Sequence, residues 1–252
     1  MIRLYVTLLL SIITVAQIQA QHRWRIGVKG GISLPNLQDP SGNDNSQAYG
    51  YSSIMGPYFG IITDYRISEL LSLQGEINYA TQGGQKNGDQ KIRTVGFESF
   101  IPAGVQVPEY VFTRFDNKVV LHYIEVAALA KYHIVNRKHW SVTFNAGPYF
   151  GILTYARNTS KGNSKVYYDA QYTQPLLPYA VVFDNEEDIQ PRVNPYALGI
   201  QGGGTIGYKF KQWEVFISGG GNVGLTILQS DKSLGNNRTG AGTLTTGVFF
   251  QL

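Results

Sequence analysis

Four basic and four acidic residues, Arg25, Lys29, Lys131 and Lys209 against Asp64, Glu76, Glu125 and Glu214, share the polar side of alternating polar–apolar stretches. Gathered inside one low-dielectric space, charges of both signs must pair, because a lone buried charge is costly. The pattern therefore predicts a paired internal network. A gated proton or ion path through the same residues is the alternative. On the network reading, neutralising Glu125 alone destabilises the fold.

Other reactive groups are sparse. The histidines are His22, His122, His133 and His139, and their spacing fits no zinc pattern. His122 could work as a base beside a loop Ser or Asp, but no spacing singles out a partner. Gly202-Gly203-Gly204 and Gly219-Gly220-Gly221 lie inside strand-like runs with no helix after them, which removes a phosphate-loop reading. Asp184, Glu186, Glu187 and Asp188 form an acidic knot, read as a solvated loop before a divalent-cation site. The chain has no cysteine, so disulfides, thiolate chemistry and a lipid-acceptor cysteine are all excluded. No cofactor, metal or catalytic centre is expected.

The elements that position these residues are strands. Period-two alternation marks eight segments, at 23–34, 50–66, 70–84, 119–134, 140–156, 195–210, 213–228 and 240–252. Short connections at 67–69, 135–139 and 211–212 alternate with long ones at 35–49, 85–118, 157–194 and 229–239. Outer-membrane barrels sort their periplasmic turns and extracellular loops in this way. The prediction is an all-β fold, an eight-stranded antiparallel up-and-down transmembrane β-barrel with both termini on the periplasmic side. Eight strands leave an interior that side chains can fill, so an open pore is not expected.

Three features point the apolar faces outward to lipid. The opposite face carries mid-strand charges, each costing about 2–4 kcal/mol for Lys or Arg if it faced lipid at the midplane. Trp24, Trp140 and Trp213 each begin a strand leaving the short-turn side, and Tyr65, Tyr132, Tyr208, Phe210 and Phe250 lie near the same end. Together they would form a belt at one membrane interface.

Residues 1–20 read as a cleaved secretory signal, leaving 21–252 as the barrel domain. Arg3 is the basic start, Leu4 to Val15 the apolar run, and Ile18-Gln19-Ala20 precedes the cut. The 21 basic residues, 20 without Arg3, against 17 acidic ones give a mild, scattered excess that argues against a nucleic-acid partner. Expected partners are outer-membrane lipid and lipopolysaccharide. The long loops are the contact candidates, carrying Phe97, Phe100, Ile101 and Phe112 in one and Tyr167, Tyr168, Tyr179 and Phe183 in the other. They either meet a partner or pack on each other over the lumen.

Gly27-Val28-Lys29-Gly30-Gly31-Ile32-Ser33-Leu34 resembles the opening strand of the PorT-like outer-membrane barrels of Bacteroidetes-type bacteria. Tyr123-Ile124-Glu125-Val126 with Ala130-Lys131-Tyr132, and Gly147-Pro148-Tyr149-Phe150-Gly151, are similar to the family's next central strands. Where the family has an apolar-Pro-apolar stretch after the glutamate, this chain has Val126-Ala127-Ala128. Val248, Phe250 and Leu252 resemble the terminal signal read by the barrel-assembly machinery, a further expected partner. The resemblance implies an outer-membrane location and a non-enzymatic role, through contact with other proteins, in type IX-like secretion or envelope assembly. A surface-binding or adhesion barrel is the second reading, and a hydrolase using His122 at the rim the third.

Overall fold

The structure, a computed structural model, describes residues 23–38, 50–94, 108–230 and 236–252. The expected leader, His22, and the loop candidates Phe97, Phe100 and Ile101 lie outside the described residues. The barrel wall is built from β1 (Trp24–Gln38), β2 (Gly56–Arg66), β3 (Leu71–Lys86), β6 (Asp116–Asn136), β7 (Trp140–Lys161), β11 (Tyr196–Lys209), β12 (Trp213–Gly224) and β13 (Arg238–Gln251). Between β3 and β6 stand β4 (Asp89–Arg93) and β5 (Tyr110–Arg114). After β7 come β8 (Asn163–Ser164), β9 (Val181–Val182) and β10 (Asn185–Asp188).

Each wall strand pairs antiparallel with both neighbours, and β1 closes the ring by pairing with β2 on one side and β13 on the other. Closure lets every wall strand use its backbone groups within the sheet, which lipid requires. The side-chain pattern is inverted relative to a soluble barrel. On β3, Leu73 is 51% and Ile77 54% exposed, whereas Gln74, Glu76 and Asn78 are 4%, 4% and 0%. The same alternation places Val215 and Ile217 of β12 outside and Glu214 and Phe216 inside. Each aliphatic side chain covered by lipid stabilises insertion by roughly 1.5–3 kcal/mol. On β2 the adjacent Ile61 and Ile62 divide, Ile61 outward and Ile62 into the lumen.

Several strand ends differ from the sequence reading. The second strand starts at Gly56 rather than 50. Residues before it bend inward, with Ile54 bonded to the Pro35 carbonyl and Ser52 bridged to Gln85. The seventh strand stops at Gly224, beyond which the Leu225 amide turns to the Leu198 carbonyl. The fourth and fifth run longer than expected, and β6 and β7 stay paired out to Asp116 and Lys161. They rise above the membrane as a platform: β4 and β5 form a hairpin, and β10 extends the sheet along β7.

Large inward side chains fit because glycines face them. A Cβ at Gly199 would lie 2.4 Å from the Tyr149 ring, and one at Gly247 would lie 2.4 Å from the Phe216 ring. Inward glycines therefore make the room that aromatic rings fill.

Candidate functional site

The lumen is built in layers. Nearest the periplasm, strand register sets Arg25 beside Asp64. Asp64 Oδ2 lies 3.1 Å from Arg25 Nη2 and 2.9 Å from Lys131 Nζ, and Arg25 Nη1 lies 2.5 Å from Glu214 Oε2. The Ser141 hydroxyl donates to the other Glu214 oxygen. Arg25 and Lys131 stand 4.7 and 4.6 Å from the centre of the Phe249 ring, so both cations also meet an aromatic ring.

The next layer centres on Glu76. Its carboxylate accepts from Lys29 at 2.8 Å, from Asn78 and Gln201 at 2.9 Å each, and from Gln74. A residual cavity of about 40 Å³ among Lys29, Glu76, Gln201 and Asn222 has room for little more than a water or two. Glu125 lies deeper in the wall of β6, 1% exposed. It accepts one bond, from Gln82 at 3.2 Å, and its second oxygen has no partner among the described residues. Towards the outer mouth, Leu121, Tyr123, Leu129, Tyr149, Leu153 and Val193 form an apolar plug, closed over by Tyr51, Ile189 and Leu228 from three different loops.

The eight charges read as one network thus fall into two paired clusters and two residues apart from both. No ion pair reaches Glu125 among the described residues. Lys209 ends β11, and its ammonium turns to Asn136 and the Arg137 carbonyl at the periplasmic rim instead of the interior. Alternation gives a residue's face but not its height, and a long side chain at a strand end reaches out to water.

The outer surface carries the aromatic belt. Trp24 packs on Tyr65 at 4.8 Å, Trp140 on Tyr208 at 5.1 Å, Tyr208 on Phe210 at 5.1 Å and Trp213 on Phe250 at 4.9 Å. Tyr132 is exposed at the same end. The sequence reading missed a second belt at the opposite interface. Phe59, Tyr79, His122 and Tyr155 stack in series across β2, β3, β6 and β7 at 4.9, 5.1 and 5.2 Å, and Phe150 meets Tyr196 at 5.8 Å. Each occupies an outward position, and only strand register brings them side by side. His122 is a member of this belt, with Nδ1 3.3 Å from the Thr81 hydroxyl. A Ser–His pair does exist, also unforeseen: Ser72 Oγ lies 2.8 Å from His133 Nε2, both residues buried, and His133 Nδ1 has no partner among the described residues.

Above the barrel the two long loops pack on each other. Phe112 and Tyr167 exchange backbone hydrogen bonds at 2.9 and 2.8 Å. Val111, Val166, Leu176 and Leu177 form a small core against which Tyr168 and Phe183 pack, while Phe183 stacks on Phe115 at 4.6 Å. Tyr179 remains exposed. On the rim of this platform Asp89 accepts from Arg114 Nε and from the Tyr172 hydroxyl, each at 2.9 Å. Those bonds, Arg114's first, hold the Asp89 carboxyl below its ordinary range. Partial burial and the bond to Asp89 push the Tyr172 hydroxyl up to about 12. The acidic knot is engaged within the chain: Glu186 with Arg157, Glu187 with Arg192, Asp184 with the Gly162 amide and Asp188 with the Gln190 amide. Among the described residues no cluster of three or more His, Asp or Glu is placed to hold a metal ion.

A closed eight-stranded barrel with a lipid-facing apolar wall, aromatic belts and a filled polar lumen defines an outer-membrane β-barrel protein. Residues 15–230 match the family described as "Outer membrane protein beta-barrel domain", and the chain belongs to that family. No curated protein matches it in sequence. Among solved structures it is similar to Neisserial surface protein A at 13% identity, over 90% of this chain and 97% of that one, with a TM-score of 0.39. It is also similar to Ail, the attachment invasion locus protein of Yersinia pestis, at 12% identity over 90% and 99%, with a TM-score of 0.36. The outer membrane protease OmpT of Escherichia coli is similar at 8% identity over 92% and 97%, with a TM-score of 0.46.

Proposed function

We propose that this barrel is a non-enzymatic, PorT-like contact component of secretion or envelope assembly, delivered by a cleaved leader and inserted by the barrel-assembly machinery. The observation that carries the reading is a contrast between the ends of the molecule. The lumen is filled, while the outer loops hold a small core of their own and present Tyr179 and Val182, 56% and 65% exposed. A plugged barrel transports nothing through itself, and a supported apolar surface suits contact with another protein. The histidines favour the non-enzymatic side: His122 is stacked in a belt, and the Ser72–His133 pair is buried with no carboxylate on His133 Nδ1 among the described residues.

The test compares the secreted proteins of a deletion strain with those of its parent. Retention of many large exported proteins in the periplasm supports a secretion role. An unchanged secreted set, joined to a defect confined to attachment, moves the assignment to the second reading, a surface-binding barrel. The same exposed loop residues support that reading.

A further inference from the structure

The periplasmic mouth gathers more positive charge than the lumenal clusters use. Arg23 and Arg25 lie at the start of β1, Arg66 ends β2, Lys138 sits in the β6–β7 turn, Lys209 ends β11 and Lys211 sits in the β11–β12 turn. All six line one cavity of about 220 Å³. The start of the barrel, two strand ends and two periplasmic turns thus contribute cations to the same space.

Apart from the ion pairs of Arg25, little among the described residues neutralises them. The acid lining the cavity is Glu214, already bonded to Arg25 and Ser141. Arg66 donates to the backbone carbonyls of Ser68 and Glu69, and Lys209 to Asn136 and the Arg137 carbonyl. These bonds fix the cations in place and leave their charge intact. Arg23, Lys138 and Lys211 have no ion pair among the described residues. Converging like charges repel, so a bound anion is the state that relieves the mouth.

The remaining wall indicates which anion. Phe210 and Trp213 line the cavity and are 59% and 51% exposed as members of the periplasmic aromatic belt. The cavity therefore borders the headgroup level of the inner leaflet. Guanidinium forks suit tetrahedral oxyanions, ammonium groups add point charge, and basic pockets at membrane surfaces hold lipid headgroups. We infer that the periplasmic mouth is a binding site for a phosphate group, supplied by an inner-leaflet phospholipid headgroup or by free phosphate. This inference does not depend on the secretion reading.

The experiment reconstitutes the full chain in phosphatidylcholine vesicles doped with phosphatidylglycerol, extracts it into detergent and measures the phosphatidylglycerol that stays bound. Lys138→Gln/Lys211→Gln alters exposed turn residues and is expected to retain about tenfold less, which is about 1.4 kcal/mol. Lys118→Gln/Lys165→Gln, the same charge loss at the extracellular end, should match the parent. Inorganic phosphate added to lipid-free protein is the second arm. If phosphatidylglycerol is not retained, but phosphate raises the unfolding midpoint of the parent and not of the turn variant, the site is real and its ligand is soluble. Circular dichroism checks folding, and Arg23→Gln replaces the double variant should that one fail to fold. The inference is overturned if the parent neither retains the lipid nor responds to phosphate. Equal loss in both double variants overturns it too, because the effect would then be general charge attraction.

Discussion

Asp64 and Glu125 are both carboxylates on inward strand faces, 0% and 1% exposed, and the sequence presents them alike. Their surroundings differ in kind. Asp64 lies between Arg25 and Lys131, inside a quartet whose charges balance. Glu125 has one amide donor and lies near the apolar plug, with Tyr123 and Tyr149 in the same region. The periplasmic half of the lumen is held by paired charge, and the extracellular half by packed side chains. Closing a narrow barrel can use either, and this chain uses one at each end.

The largest effect should come from breaking the pairing. Asp64→Asn leaves Lys131 buried without its carboxylate, which should cost about 3–5 kcal/mol, read as a fall in the urea midpoint of the refolded barrel. Adding Lys131→Met removes the stranded cation and should recover part of the loss. A double variant no more stable than the single one would deny the quartet its stabilising role. The opposite half gives the next largest effect. Leu121, 0% exposed, lies in the plug, and Leu121→Ala should cost about 2–4 kcal/mol through lost contacts and a residual cavity. A loss below about 0.5 kcal/mol would mean that the plug is loosely packed.

The difference between the halves also marks what the sequence could show. Alternation in β3 and β12 tells which residues face lipid, and the loop lengths tell which ends are periplasmic, because both follow from local geometry. Partner choice needs register across strands that are distant in the chain. Gln201 reaches Glu76 across 125 positions, and Lys209 leaves Glu214, its register partner, for Asn136. The tryptophans at the short-turn end could be singled out from sequence because indole favours an interface. The outer belt could not, since Phe59, Tyr79, His122 and Tyr155 form a series only when the strands are aligned. The loop platform was visible only as unexplained apolar residues.

A smaller effect separates the two carboxylates directly. From sequence, Glu125 was expected to be needed for stability. With no ion pair to it among the described residues, Glu125→Gln breaks none and keeps a polar partner for Gln82. The urea midpoint should therefore move by less than about 1 kcal/mol, in contrast to Asp64→Asn. A loss comparable to that of Asp64→Asn would show that Glu125 depends on its charge after all, and the two halves would no longer differ.

The smallest effect belongs to ion-pair chemistry placed in water. Arg114 and Asp89 lie 2.9 Å apart with side chains 61% and 70% exposed, so solvent and salt screen them. Asp89→Asn should leave the barrel midpoint in place. What the pair alters is local titration. Asp89 is held below its ordinary range by Arg114 and Tyr172. Its contribution to loop order is therefore complete above the unfolded carboxyl value of about 3.9, and is lost as pH falls through the lower folded value. The carboxyl carbon shift of Asp89, followed by NMR in nanodiscs, should titrate below that of a free aspartate. It should move back up at about 1 M salt and in Arg114→Gln. An Asp89 midpoint at or above the free value would mean that the bonds from Arg114 and Tyr172 do not persist in water, and exposed pairing would then contribute nothing even locally.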